Sequence, residues 1–465
     1  MRSVASTMHD LIAVLDVGKT NAKLSVVDAA TGLPIHVVQR ANSPTDSLSM
    51  RQLDVAGIEH WFLEQLRDCP GRERITALVP VAHGAACVLV DDHGHVIAAP
   101  DYEDTCFRKT ASEYDRERAP FTETLSPRLP DGLNLGAQLY FLETRHPRDF
   151  ARATRIFPLP QYWAWRFSGV AASEVSSLGA HSDLWCPVRN QFSALVRRRG
   201  WDKLFPPMRP ATAMLGLIDD RTAALTGLSA DCQVFCGVHD SNASWLAHQR
   251  DIKHGAALTV ISSGTWIIAM TSNGDLSRLR EDRDMLANVD VFSSPVATAR
   301  FMGGREYAAI AGPENATPSL TDLERVIAAR VMALPSFAEA GGPFPGRVGR
   351  VVAEEKLSPG ERAALASLYV ALVTDVVLDL LGESDAIVID GPFAGNPLYA
   401  GILKAFRPGA AISISDLASG AAAGALALVL GELTRRASVA DRPVTALPVA
   451  GLIEYRHAWR AIVEP

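Results

Sequence analysis

The first hundred residues carry short apolar runs broken by polar turns. Residues 12–15 and, apart from Ser25, 24–27 are apolar on either side of Asp16-Val17-Gly18-Lys19-Thr20-Asn21, which predicts two strands joined at a polar tip. Residues 33–41 predict a third strand, 57–71 an amphipathic helix stopped at Pro70-Gly71, and 75–84 and 86–100 further strands. Strands, a helix and a strand again point to a mixed sheet with helices on its faces. From about 105 to 230 prolines punctuate the chain, and helical spacing appears over 136–147, 160–169 and 190–206. Residues 232–240 read as a short buried strand leading into a helix over 242–249.

After residue 255 the opening pattern returns. Residues 256–274 are again strand, small polar tip and strand. A long helix over 360–382, a strand over 386–392, an Ala-rich helix over 418–431 and a terminal helix over 451–463 follow. Two halves that each start on a polar-tipped hairpin predict two α/β domains of related topology, 1–250 and 251–465, with a cleft between them. The length of 465 residues, beyond what one core usually serves, agrees.

Composition narrows the function class. Hydrophobic residues make up 48% and charged residues 21%, the balance of an ordinary globular protein. A net charge of -7 provides no basic field for nucleic acid. The runs Arg197-Arg198-Arg199 and Arg435-Arg436 read as solvated helix ends. Six scattered cysteines without a CxxC fit a reduced, cytoplasmic setting. The first apolar run ends at Asp16 after five residues, too short for a signal peptide, and no run reaches the ~18 apolar residues of a membrane span. The expected partner is a small molecule, not nucleic acid or a membrane; a homodimer is compatible with this.

The polar breaks carry the candidate chemistry. At the first tip, Gly18 lets backbone N–H groups approach an anion, and Lys19, Thr20 and Asn21 add donors. Asp16 beside a phosphate cradle needs a cation between, which implies Mg²⁺ held mostly through water. An ordinary polar hairpin turn explains either tip alone. The second tip, Ser263-Gly264-Thr265, makes the pair more telling, since two such tips can grip one triphosphate. In "GVHDSNASWLA", Asp240 at a helix start stays ionised and suits a general base, although a helix cap needs the same residue. "IDGPFAGNP" and "SDLASGAAAGAL" are small-residue stretches that either pack tightly or leave room for a purine.

In this order the motifs resemble the FGGY family of carbohydrate kinases, of the actin and hexokinase (ribonuclease H-like) superfamily. The matching pieces are Asp16–Lys23, "VAHG" at 81–84, "GVHD" at 237–240, "ISSGT" at 261–265 and "DGPFAGN" at 390–396. The resemblance implies ATP and Mg²⁺ as cofactors and a small sugar as substrate. It implies Asp240 as the base, Asp16 near the metal, and Gly18, Lys19, Thr20, Asn21, Ser263, Gly264 and Thr265 at the phosphates. Gly391, Pro392, Phe393 and Asn396 would border the nucleotide, with Gly303 and Gly304 beside it. His83, Gly84, Tyr102, Glu103 and His239 would join Asp240 at the sugar. Two positions depart from the family pattern: Pro160-Gln161 replaces a usual lysine, and Asp390-Gly391 a usual glycine pair. Pro-x-Tyr, Arg-x-x-Gly and the His before Asp240 are similar to the L-rhamnulose and L-fuculose kinase branch. The expected substrate is thus a 6-deoxyketose. A pentulose or polyol kinase, and a non-catalytic sensor on the same fold, are the alternatives.

Overall fold

The computed structural model describes residues 9–249, 257–339, 341–352, 356–415, 420–431 and 441–463. The expected boundary at Arg250, the residues 416–419 that lead into the Ala-rich helix, and Arg435-Arg436 lie outside the described residues. The chain gathers into two compact units. One holds the chain up to Ala247 together with Asn288–Pro295 and the helix Gly420–Leu430; the other holds the rest of the second half.

In the first unit, β1 (Leu11–Val17) turns into β2 (Asn21–Asp28) and then β3 (Pro34–Ala41). Helix α1 (Val55–Asp68) follows, with its N-terminus capped by Asp54, whose carboxylate accepts from Gly57 N–H. Next come β4 (Ile75–Ala82), α2 (Leu159–Ser168) and the single turn α3 (Val175–Leu178). Then follow β5 (Met214–Leu217), β6 (Gln233–Phe235), β7 (Val238–His239) and α4 (Asp240–Gln249). The sheet order is β5-β6-β4-β1-β2-β3, with β7 also on β4. β1 pairs antiparallel with β2 but parallel with β4, and β6 and β7 run parallel to β4 too.

The apolar run of β1 serves both faces of this sheet. Leu11, Ala13 and Leu15 pack with Ile58, Phe62 and Trp163 from α1 and α2. Ile12 and Val14 face the other way, into a cluster with Ala243, Leu246, Ala425 and Leu426. A strand buried on both faces must read as a continuous apolar run, as this one does. The predicted strand over 232–240 is two short strands, because Gly237 at φ +83° bends the chain between them. A Cβ on Gly237 would stand 2.4 Å from the Pro80 carbonyl oxygen. The predicted helix over 190–206 shortens to Ala194–Arg199, closed at Gly200 in the left-handed region.

The second unit is built around β8 (Leu258–Ser263), β9 (Ile267–Thr271), β10 (Met285–Val289) and β11 (Pro295–Phe301). Then come α5 (Gly303–Ala311), α6 (Pro359–Leu381), β12 (Ala386–Asp390), α7 (Tyr399–Phe406) and β13 (Ala411–Ile414). After α8 (Gly420–Leu430) the chain ends on β14 (Arg442–Pro443) and α9 (Leu452–Val463). The sheet order is β10-β11-β9-β8-β12-β13-β14, with β8 parallel to β12. Both sheets are mixed and helix-flanked, the two-domain actin/hexokinase-like arrangement that the resemblance implied.

Helix α6 is a long apolar element of 23 residues. By length and composition it is able to cross a membrane, with a mean hydropathy of 2.0 over 18 residues, more than the sequence reading allowed for. Most of that window, 89%, is buried inside the protein, so it is a core helix here. The helix α8 belongs with the first unit, where it packs on β1 and β4. Gly424 makes this possible, because a Cβ there would lie 1.9 Å from the Ala243 carbonyl oxygen on α4. The six cysteines are free and buried.

Candidate active site

In the first unit three parallel strands end in one row. Asp16 pairs across from Val81 and Val17 from Ala82, while Val238 and His239 pair with Val81 and Ala82 from the other side. The residues leaving this row are the Asp16 tip, His83-Gly84 and Asp240. Ends of adjacent parallel strands are where α/β sheets place ligand sites, because the chain must turn there and leaves polar groups facing outward. His83 N–H donates to the Val17 carbonyl at 3.0 Å, which ties two of the three ends together.

The first tip is a tight turn. Gly18 N–H donates to the Asn21 carbonyl at 2.9 Å, and Thr20 and Asn21 are exposed. Asn42, which the sequence reading missed, braces the turn: its amide donates to Gly18 O at 2.9 Å and its N–H to Thr20 O at 2.8 Å. Lys19 turns toward Asp101, to which it is hydrogen-bonded, with Glu103 at 3.9 Å and the Tyr102 ring 5.1 Å below its ammonium. The structure therefore groups Lys19 with Tyr102 and Glu103. Asp16 is met by the Lys23 ammonium at 3.4 Å. Burial raises the Asp16 carboxyl above the usual carboxylate range, Lys23 lowers it, and the Asp240 charge raises it further.

Asp240 is the first residue of α4, two residues before the expected helix start. Its Oδ1 accepts from Ser241 N–H at 2.5 Å and Ser241 Oγ at 3.2 Å. Desolvation raises the Asp240 carboxyl, and the nearby His83 opposes that shift. His239 is buried and pushed down to about 4, so its ring is neutral near pH 7. The Asn242 amide stands 3.1 Å from His239 Nδ1, making Nδ1 the acceptor and leaving the proton on Nε2. That Nε2 stands 3.2 Å from Asp240 Oδ1. His83, also lowered by burial, directs Nδ1–H to the Gly84 carbonyl at 2.8 Å. Its Nε2 is buried without a protein partner. Gly84 has to be a glycine: a Cβ there would lie 2.7 Å from His239 Nε2 and 3.5 Å from His181 Nε2. His181 is a second residue that sequence reasoning missed. It sits in a loop at φ +41°, and no spacing or motif marks it.

The second tip organises the other unit's polar groups. β8 and β12 run parallel and place Ser262 beside Asp390. Ser263 Oγ donates to the Asp390 carbonyl at 2.5 Å and accepts from Phe393 N–H at 3.1 Å. Gly391 takes φ +87° and ψ −169°, a region essentially restricted to glycine, and its Cβ would fall 2.1 Å from Ser263 O. Gly304 N–H donates to Thr265 O at 3.2 Å, and a Cβ on Gly304 would stand 2.3 Å from Gly264 O. The Ser263–Thr265 tip, the Gly303-Gly304 start of α5 and the 390–393 turn are thus one surface in van der Waals contact.

Not every residue expected at the nucleotide faces outward. Phe393 is buried between Tyr307 and Tyr399 rings at 5.5 and 5.3 Å. Asn396 is tied to the chain entering α7, its Oδ1 accepting from Leu398 and Tyr399 N–H at 3.0 Å each. Pro392 opens the 3₁₀ turn that carries both. Asp390 is faced by His248 at 3.7 Å, a neighbour the sequence did not suggest.

Each unit carries groups that fit part of Mg-ATP. Gly264 carries open space where a Cβ would be, with only Trp266 O at 4.0 Å, and exposed Thr265 follows it. Asp16 beside the like-charged Asp240 suits a divalent cation. Among the described residues no group of three or more His, Cys, Asp or Glu forms a protein cage, and Mg²⁺ bound to phosphates commonly uses one or two carboxylates and water.

Comparison with known proteins agrees. Residues 255–438 match the C-terminal domain of FGGY carbohydrate kinases. A carbohydrate kinase from Novosphingobium aromaticivorans is 36% identical, with a TM-score of 0.87 over 98% of this chain and 99% of that one. The chain therefore belongs to the FGGY carbohydrate kinase family. An L-fuculokinase of Escherichia coli K12 is 22% identical over 285 residues, 58% of this chain. The match spans 58% of that curated relative's length. A xylulose kinase structure from Rhodospirillum rubrum shares the fold at 17% identity and a TM-score of 0.78, covering 97% and 98% of the two chains.

Proposed function

We propose that the protein transfers the terminal phosphoryl group of ATP to a hydroxyl of a small ketose, with Asp240 as general base. The observation that carries this reading is the convergence of Asp16, His83 and Asp240 at the ends of three adjacent parallel strands. Asp240 takes the proton from the sugar hydroxyl through the carboxylate oxygen not engaged by Ser241. Neutral His239 stands against Oδ1 and adds no positive charge, so the carboxylate keeps its basicity. His83 Nε2, a buried lone pair, accepts a hydrogen bond from another sugar hydroxyl. Tyr102 and Glu103, grouped with Lys19, line the same side.

Asp16 would hold Mg²⁺, largely through water, and the Gly18 turn and the Gly264-Thr265 tip would receive phosphate oxygens. Bound Mg²⁺ would neutralise charge that builds on the transferring group. Phosphoryl transfer asks the protein mostly for position and electrostatics, so a base, a carboxylate for the metal and backbone donors suffice. A division into two domains near residue 250, with Asn288–Pro295 and Gly420–Leu430 returning to the first, cytoplasmic location and a small-molecule partner are part of the same reading.

For the substrate we favour a 6-deoxyketose, L-rhamnulose or L-fuculose. The L-fuculokinase match and the His239-Asp240 and Pro160-Gln161-Tyr162 motifs support it. Sugar-dependent ADP formation over L-rhamnulose, L-fuculose, L-xylulose, L-ribulose, D-xylulose, D-ribulose and glycerol tests it. The highest kcat/KM belongs to a 6-deoxyketose. A tenfold preference for D-xylulose, D-ribulose or glycerol, about 1.4 kcal/mol in transition-state binding, would reject the branch and leave the kinase reading standing.

A further inference from the structure

The turn that delivers Asp240 is held by a buried polar pair that the reaction above does not use. Glu174 and Ser176 are fully buried, on and just before α3. Glu174 Oε2 accepts from Ser176 N–H at 2.9 Å and from Ser176 Oγ–H at 2.5 Å. With its proton committed to Glu174, Ser176 Oγ presents a lone pair. It accepts the His239 backbone N–H at 3.2 Å, one residue before Asp240. On the preceding side, Gln161 Nε2 donates to the carbonyls of Cys236 at 3.1 Å and Gly237 at 3.2 Å. Gln161 belongs to the Pro160-Gln161 pair that stands in place of a usual lysine in the family resemblance.

We propose that Glu174, Ser176 and Gln161 are positioning residues that fix the Gly237–Asp240 turn, with Glu174 setting the direction of the Ser176 hydroxyl. Both ends of the turn are then tied by hydrogen bonds from buried side chains. Buried polar groups are costly unless matched, and here one carboxylate oxygen, Glu174 Oε1, has no protein partner. A core with an apolar side chain in its place would lack that penalty but could not orient Ser176. The same burial pushes the Glu174 carboxyl up to about 7, yet Oε2 accepts both bonds in either protonation state provided the proton sits on Oε1.

This inference rests on the reading of Asp240 as the base. The test measures kcat and KM for ATP and for the best ketose of the panel in Ser176→Ala, Glu174→Gln, Glu174→Ala and Asp240→Asn. A misplacement of about 1 Å costs on the order of 10²-fold in rate. Ser176→Ala and Glu174→Ala are expected to lower kcat ~10–100-fold, with both KM values within about threefold. Glu174→Gln keeps an acceptor for both Ser176 bonds and retains at least about a third of kcat. If Glu174→Ala does not fold, Ser176→Ala and Glu174→Gln decide alone. Ser176→Ala with kcat within about twofold of the parent overturns the positioning role, and so does Glu174→Gln losing as much as Ser176→Ala. Should Asp240→Asn turn over normally, the base reading fails and the positioning inference with it. If only Asp240→Asn is impaired, the base stands and the positioning inference alone is lost.

Discussion

His239 Nε2 stands 3.2 Å from Asp240 Oδ1, and the ring that makes this contact is held neutral by burial. The pair separates two roles between residues adjacent in sequence. On the proposed reading the carboxylate is the group that changes protonation, and the imidazole is a fixed dipole. Because the Asp240 carboxyl lies above its ordinary value, kcat should fall as pH drops through an apparent pKa above 3.8. His239, near 4, should add no inflection between pH 5 and 8. A kcat–pH profile in Mg-ATP checks this. An acid limb at a histidine-like value in the parent that vanishes in His239 variants would speak against it.

Glu174 gives a stability signature independent of activity. Its carboxyl is raised from 4.5 to about 7 in the folded protein. Between these values the unfolded chain releases the proton while the folded chain keeps it, so stability falls as pH rises through the window. Full loss amounts to roughly 3 kcal/mol above pH 7. Glu174→Gln cannot ionise. Its Tm relative to the parent should therefore climb between pH 5 and pH 8, by scanning calorimetry. A pH-independent difference would show that Glu174 does not carry the shift.

At the second tip, Gly391 holds a backbone conformation that only glycine adopts at low cost. Gly391→Ala forces a Cβ to within 2.1 Å of the Ser263 carbonyl oxygen. It should cost at least about 2 kcal/mol in urea unfolding. Thr265→Val, exposed and nearly equal in volume, should leave stability unchanged but raise the KM for ATP, with sugar affinity preserved. Titration calorimetry showing the reverse, sugar affinity lost and ATP affinity kept, would move this tip to the sugar side.

Asp375 on α6 is fully buried and meets three guanidinium groups. Arg407 approaches at 2.7 Å, Arg456 at 2.6 Å and Arg460 at 2.5 Å, the last two on α9. Removing one partner of a buried ion cluster strands the others. Asp375→Ala should destabilise the protein by about 3–5 kcal/mol. An unfolding midpoint within about 0.5 kcal/mol of the parent would show that the arginines find water instead.

Much of the architecture was legible because local pattern and global fold agree. The two polar-tipped hairpins, the strand at 75–82 and the apolar strand at 386–390 all stand where their apolar runs predicted. These runs are continuous because the strands are buried on both faces. What stayed hidden depends on distance in sequence. Nothing in Gly420–Leu430 says that it packs on β1, over 400 residues earlier, apart from the small side chains at its contact with α4. Lys19 reads as a phosphate donor by its neighbours in the chain, but Asp101 claims it through a contact 82 residues away. His181 and Asn42 carry no motif, and Ser176 matters only through the backbone of His239.

The most direct measurement is sugar-dependent ADP formation by Asp240→Asn together with its Mg-ATP affinity. Asparagine keeps the shape and the bonds from Ser241 but cannot take a proton. Loss of a general base typically costs ~10²–10⁴-fold in rate. The account predicts a fall in kcat of that size with the Kd for Mg-ATP within about threefold of the parent. Turnover within about threefold of the parent would contradict it.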